Sequence, residues 1–171
     1  MTEPFKLYKL IILYMLDKVD FPMTTSQLSE FILDKGYTTY FKFKQALTEL
    51  TDSDLVWEEN TYNRTLYNLS ETGEEAISLL KKDISPAITA DIDRFISEKR
   101  YDLKSEVSVK ADFYQSTAFE YTVRCQVIEK GNPLIELNLS VPSKAEAEKV
   151  ANNWTEKNEE LYTIIMEKLL S

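Results

Sequence analysis

Several residue types are absent or scarce in this chain of 171 residues, and each shortage narrows the possible chemistry. Histidine is absent, which removes the commonest general base, the histidine-activated nucleophiles and the usual zinc ligand. The three glycines lie far apart, at positions 36, 73 and 131, so there is no glycine-rich phosphate loop. Acidic pairs such as Glu74-Glu75 fit solvated helix surfaces. We therefore expect neither an enzyme nor a bound cofactor or metal.

Cysteine and long apolar runs are also scarce. The single cysteine, Cys125, rules out an intramolecular disulfide, and its place among alternating apolar residues favours a buried, inert thiol. No apolar run reaches the ~18 residues of a membrane-spanning helix, and the first residues lack the basic segment of a signal peptide. The sequence predicts a soluble, cytoplasmic protein with no membrane partner.

Positive charge is in short supply. The chain has 20 basic and 29 acidic residues and a net charge of −9, of which residues 1–84 contribute −5 and residues 85–171 contribute −4. DNA-binding proteins need positive potential against the phosphates. An acidic domain can still supply it if its basic groups cluster on one face, so the charge argues against DNA binding without excluding it.

Two short capped helices joined by a turn are predicted near the start of the chain. Thr24 and Gln27 have the Thr-x-x-Gln spacing of a capping box, which satisfies free N–H groups at a helix start. Thr38 or Thr39 then caps a second helix that is predicted to end at about Thr51.

A hairpin and a further helix are predicted to follow. Two strands, at 56–59 and 65–69, flank a loop at 60–64, and Ser70 within Leu69-Ser70-Glu71-Thr72-Gly73 caps the next helix. Helix, turn, helix, hairpin, helix is the order of a winged helix-turn-helix. Such a module presents one helix to the DNA major groove.

The helix at about 38–51 combines an apolar and a polar face. Phe43, Ala46, Leu47 and Leu50 recur at i, i+3, i+4 and i+7 and are predicted to face the core. Base contacts come mainly from the N-terminal half of such a recognition helix, and lysine and glutamine suit phosphate, guanine and adenine. The loop at 60–64 is the predicted wing. The predicted DNA-contacting residues are Thr38, Thr39, Tyr40, Lys42, Lys44, Gln45, Asn63 and Arg64.

Plainer interpretations of these residues stay open. Lys42 and Lys44 can be ordinary solvated lysines, and the aromatic residues of the hairpin can pack across strands rather than stack on bases. Phe41 can touch a thymine methyl group, meet a partner protein or pack against Tyr37.

The opening helix, predicted over residues 5–18, is apolar around nearly its whole circumference. Only Lys6, Lys9 and Asp17 mark a narrow polar edge. A helix of this kind is buried on more than one side. One side can pack on the neighbouring helices, and the other needs the C-terminal part of the chain or a second copy. Of these we favour the second copy, which makes a homodimer.

The second half of the chain changes its apolar period from 3.6 to 2. A helix is predicted from Pro86, with 81–85 as the domain junction. Three alternating strands follow, at 107–113, 119–127 and 135–141, each with one wet and one buried face. Ser143, three residues before Glu146, caps a long last helix.

The predicted fold class is α+β, with an N-terminal winged helix-turn-helix domain at 1–84. An α-β-β-β-α unit with an antiparallel three-stranded sheet follows at 85–171. This second unit is expected to dimerise, to sense a small-molecule ligand or to bind a protein partner.

The residues also resemble known families. The segment Asp54-Leu55-Val56, the hairpin and the segment from Leu69 to Ala76 resemble winged-helix regulators of the MarR and PadR type. The whole chain, with its apolar opening helix and its α-β-β-β-α tail, resembles a family of Firmicutes proteins known as domain of unknown function 4364 and described as winged-helix. The resemblance implies a transcriptional regulator and supplies no ligand or operator.

The main functional interpretation is a DNA-binding transcriptional regulator that acts as a dimer on double-stranded DNA. Its recognition helix is at about 38–51 and its wing at 60–64. The alternative is a protein–protein interaction module built on a winged helix that has lost DNA binding. A positive surface around Lys42, Lys44 and Arg64 favours the first, and carboxylates beside those lysines favour the second.

Overall fold

The computed structural model describes residues 3–171. Contacts divide the chain into two compact units, Met1–Val107 and Ser108–Ser171. The class is α+β, as predicted, and each unit contains an antiparallel three-stranded sheet.

The first unit combines helices with a small three-stranded sheet, in which the strand at 65–69 lies between those at 23–24 and 56–60. The predicted hairpin is present, since all five residues of one strand pair with the other. The two-residue strand at 23–24 was not predicted, because two residues carry no detectable alternation. In chain order the elements are α1 (Glu3–Lys18), β1 (Met23–Thr24), α2 (Thr25–Asp34), α3 (Tyr40–Asp52), β2 (Val56–Asn60), β3 (Thr65–Leu69), α4 (Glu71–Leu80), a 3-10 turn (Lys81–Asp83) and α5 (Pro86–Ser108).

Side-chain caps start the helices where the sequence predicts. The Thr24 hydroxyl accepts a bond from the Gln27 backbone N–H at 3.1 Å, and the Gln27 side chain accepts one from the Thr24 N–H at 3.0 Å. Thr39, rather than Thr38, is the N-cap of α3. At α4 the Ser70 hydroxyl accepts from the Gly73 N–H at 2.9 Å. Each cap satisfies a donor that the helix leaves free.

The middle of helix α1 is buried within one copy of the chain. Every residue from Leu10 to Leu16 is buried, and α3, α4 and β3 pack against the helix. From α5, Asp93 accepts a 2.9 Å hydrogen bond from the Tyr14 hydroxyl and pairs with Lys18 at 3.7 Å. The second copy that we favoured as a cover for this helix is therefore not needed there.

Helix α5 belongs with the first unit. Its Ile92, Ile96 and Leu103 join the same apolar core. The predicted boundary lies between residues 84 and 85, whereas the contacts divide the chain after Val107. The physical reason is that the apolar stripe of α5 is buried against the helices that precede it.

Three antiparallel strands and one long helix form the second unit, in the predicted order. The strands β4 (Val109–Thr117), β5 (Glu120–Glu129) and β6 (Asn132–Val141) lie side by side in that sequence, and α6 (Lys144–Leu170) packs against them. Lys130 and Gly131 turn the second hairpin with φ of +52° and +80°. Positive φ at both central residues is typical of a type I′ turn.

The core of the second unit is small. On β5, Val123 and Cys125 are buried, and on α6 so are Ala151 and Trp154. The Trp154 indole N–H donates to the Gln126 carbonyl at 3.1 Å. Burial raises the pKa of the Cys125 thiol to about 11, so the prediction of a buried thiol is confirmed and its thiolate is strongly disfavoured.

Candidate nucleic-acid interface

Helix α3 has the two faces that its sequence predicts. Phe43, Ala46, Leu47 and Leu50 are all buried. The opposite face is open to solvent, with Lys44 half-buried at its margin. The exposed residues of that face are Phe41, Lys42, Gln45 and Thr48.

The turn before α3 uses its hydroxyl groups inside the protein. Thr39 accepts a bond from the Lys42 N–H at 3.3 Å. The Thr38 hydroxyl is shielded from solvent and has no hydrogen-bond partner among residues 3–171. The Tyr37 hydroxyl donates to Asp91 of α5 at 3.1 Å and holds the turn against that helix. Of the two threonines predicted to contact DNA, one therefore caps the helix and the other faces inward.

Charge is segregated along α3. Lys42 and Lys44 lie in its first half and form no ion pair with any residue that the structure describes. Its carboxylates lie in the second half, where Glu49 pairs with Lys9 of α1 at 2.8 Å. The first half also carries the positive end of the helix dipole. This half of the helix is therefore suited to an anionic ligand.

The predicted wing is a tight loop whose arginine is directed to the protein. The Thr61 N–H donates to the Arg64 carbonyl at 2.8 Å, and the Thr61 hydroxyl donates to the exposed Asn63 at 3.3 Å. The Arg64 guanidinium donates to the Glu106 carbonyl, in the last turn of α5, at 2.8 Å. A cation there complements the negative end of the helix dipole. Arg64 thus has a structural role in the first unit.

The surroundings of Arg64 reduce the positive potential that the wing offers. Burial lowers the pKa of its guanidinium from the ordinary value, and the nearby Glu106 and Glu59 act in the opposite direction. On the other face of the hairpin, Glu58 accepts a 3.3 Å hydrogen bond from the Tyr67 hydroxyl. Carboxylates thus accompany the wing on both faces.

Aromatic side chains lie exposed next to the polar ones. Phe41 is 76% exposed, Trp57 is 61% exposed and Tyr40 is 52% exposed. Phe41 does not bury itself against Tyr37, which was one of the possibilities open from the sequence. The Tyr37 ring packs on Phe31, with ring centroids 5.8 Å apart. Exposed aromatics can stack on bases or bury themselves against a protein partner.

The sequence did not predict that backbone carbonyls of α5 accept hydrogen bonds from α2 and from the wing. The Gln27 amide of α2 donates to the Leu103 carbonyl at 3.1 Å, one turn before the carbonyl that receives Arg64. The partners are 76 and 42 residues apart in the chain. No local signal reveals such pairs, because both acceptors are ordinary backbone carbonyls.

Within residues 3–171, none of the helices combines the length and the hydropathy that a membrane-spanning segment requires. The described part of the chain also contains no cluster of three or more side chains able to ligate a metal ion.

Comparison with known proteins identifies the family. Residues 8–169 match the family described as Domain of unknown function (DUF4364), and the chain belongs to that family. Neither a curated protein nor a solved structure showed a significant match. The expected resemblance to this uncharacterised family is confirmed, and the family assigns no activity.

Proposed function

We propose that this member of the DUF4364 family is a transcriptional regulator that binds double-stranded DNA as a dimer. Its first unit is a winged helix-turn-helix of the MarR and PadR type, with α3 as the recognition helix and the loop at 60–64 as the wing. The second unit supplies dimerisation and can carry a ligand or partner site.

The exposed face of α3 is the observation that carries this proposal. Lys42 and Gln45 are exposed there, Lys44 lies at the margin, and no described carboxylate pairs with either lysine. The elements run in the order of a winged helix, including the short β1 that pairs with β3. In this fold the N-terminal half of the second helix of the pair reads the major groove.

A protein-interaction module is the second candidate, and the exposed aromatics favour it. Phe41 and Trp57 are two large apolar residues in solvent, and interfaces are enriched in such residues. The net charge of −9 and the engagement of Arg64 with α5 point the same way. In this candidate the open face of α3 contacts a protein in place of DNA.

The test is binding of the full chain to random-sequence duplex DNA from about 50 to 200 mM salt. We expect the affinity to fall steeply with salt, because phosphate contacts release counterions. The double variant Lys42→Glu/Lys44→Glu should bind at least ~10-fold more weakly, with a log–log salt slope smaller by about one per lost phosphate contact. Its free energy of unfolding should stay within about 0.5 kcal/mol of wild type.

A control reverses the charge of one lysine elsewhere, which is half the change of charge in the double variant. Lys157→Glu replaces an exposed lysine of α6 and should leave the affinity and the salt slope unchanged. If the wild-type protein does not bind duplex DNA at low salt, the DNA-binding function is excluded and the protein-interaction module is favoured. Equal weakening by Lys157→Glu would show that α3 is not the contact surface.

A further inference from the structure

The sheet of the second unit is covered unevenly by its own helix. Val123 of β5 is fully buried, whereas its cross-strand partner Leu139 on β6 is 43% exposed. Residues directly opposite in an antiparallel pair share a face of the sheet. The cover therefore thins from β5 to β6, where Leu139 is exposed and Ile135, Leu137 and Val141 of the same face are only half-buried.

Helix α6 is apolar over a much wider arc in its last ten residues than in its first half. In the first half the buried residues Ala147, Ala151 and Trp154 form one narrow stripe against the sheet. In the last ten residues, at 3.6 residues per turn, apolar side chains span about 240° of the circumference. A helix that is apolar so far round is buried on more than one side. The exposed members are Leu161, Ile164, Leu169 and Leu170.

We propose that these two surfaces, the open face of β6 and the end of α6 at 161–170, form the interface with a second copy of this chain. The end of α6 in one copy covers β6 of the other, and the relation is reciprocal. Both halves of the contact lie on one unit, so a two-fold arrangement satisfies both at once and closes at two copies.

The available area fits a dimer. At roughly 150 Å² for a large side chain, the exposed fractions of Leu139, Leu161, Ile164, Leu169 and Leu170 amount to on the order of 400 Å² of apolar surface per copy. A stable interface buries about 800 Å² per partner, of which ~65% is apolar in homodimers. The polar rim of α6 and the edge of β6 can supply the remainder.

A second copy also protects β6 as an edge strand. β6 is ten residues long and pairs only with β5 among the described strands. A long, exposed, apolar edge strand is a site of uncontrolled pairing unless something covers it. Docking the end of α6 over its apolar face removes that exposed surface within a closed assembly.

This inference names the dimer surface of the proposed regulator, but it does not need DNA binding to hold. A chain that dimerises without binding DNA would be consistent with this dimer surface, and a monomer that binds DNA would refute it. The two proposals can therefore fail separately.

The test is the mass of the full chain in solution, measured by light scattering or sedimentation equilibrium. Wild type should have twice the chain mass of 19.9 kDa. Leu139→Arg and Ile164→Arg should each weaken the dimer at least ~10-fold, because each places a charge in an apolar contact. Leu79→Arg is the matched control, since Leu79 is 73% exposed on α4 of the first unit, and it should remain dimeric.

Hydrogen exchange on wild type keeps the inference testable if a variant fails to fold. Amides of 135–141 and 161–170 should become more protected as protein concentration rises, and amides of α3 should not. A wild-type monomer at high concentration would overturn the inference. So would a dimer that both arginine variants leave intact, or protection that does not depend on concentration.

Discussion

The two units of this protein bury their apolar residues to different extents. In the first, helices and a strand pack against the middle of α1, so that all residues from Leu10 to Leu16 are buried. In the second, one helix lies on one sheet, and the apolar pattern continues past the point where the cover ends, at Leu139 and Leu169. A two-layer unit of 64 residues has too few elements to enclose its own apolar surface.

The two units therefore expose surfaces of different chemistry. The first unit buries its central apolar residues and leaves a polar and aromatic face of α3 exposed. The second unit leaves an apolar face, which suits a permanent partner better than a transient one. Three substitutions test how far the contrast holds.

The largest effect should come from Gly73→Ala in the dense first unit. A Cβ at this position would overlap the Leu55 carbonyl oxygen and lie 2.8 Å from Leu69 Cδ1. We expect a loss of about 3 kcal/mol in unfolding free energy, because a backbone atom cannot move aside, against a gain of ~1 kcal/mol in helix propensity. Urea unfolding measures it. Glu75→Ala, on the exposed side of the same helix, should change little, and a neutral Gly73→Ala would mean that α4 packs more loosely.

Trp154→Phe should have the next largest effect, confined to the second unit. It removes the indole donor to the Gln126 carbonyl and part of a buried ring, at a cost of about 2 kcal/mol. Hydrogen exchange should quicken across Glu120–Glu129 and stay unchanged in α1. The control is Trp57→Phe, at an exposed position, with an expected change below ~0.5 kcal/mol. Faster exchange in both units would show that they unfold together.

Alkaline pH should weaken the first unit through Tyr14. Burial and the hydrogen bond to Asp93 raise the pKa of Tyr14 to about 12, above the value of about 10 for an unfolded chain. The neutral phenol is thus favoured by folding, and its contribution is fully present below pH ~10 and lost as pH rises to about 12. The contribution is on the order of 1–2 kcal/mol.

The measurement compares wild type with Tyr14→Phe from about pH 9 to 12. The stability difference between them should shrink as pH rises. Tyr101→Phe is the control, because Tyr101 is exposed on α5. A difference that stays constant with pH would show that the Tyr14 hydroxyl contributes no linked proton.

The sequence alone was sufficient to predict the features that depend on residues a few positions apart in the chain. Capping residues set the starts of α2, α4 and α6, and the spacing of Phe43 to Leu50 set the buried face of α3. Strand alternation set the order of the second unit. These signals are reliable because helix and strand periods decide which side chains share a face before any long-range contact exists.

Only the tertiary structure decided which elements meet. It assigned α5 to the first unit, directed Arg64 to the end of α5, turned the Thr38 hydroxyl inward and left Phe41 in solvent. It also buried the middle of α1 within one copy of the chain and left Leu139 of β6 exposed. The physical reason is that an apolar face or a backbone carbonyl accepts many partners equally well, and the choice among them depends on the packing of the whole unit.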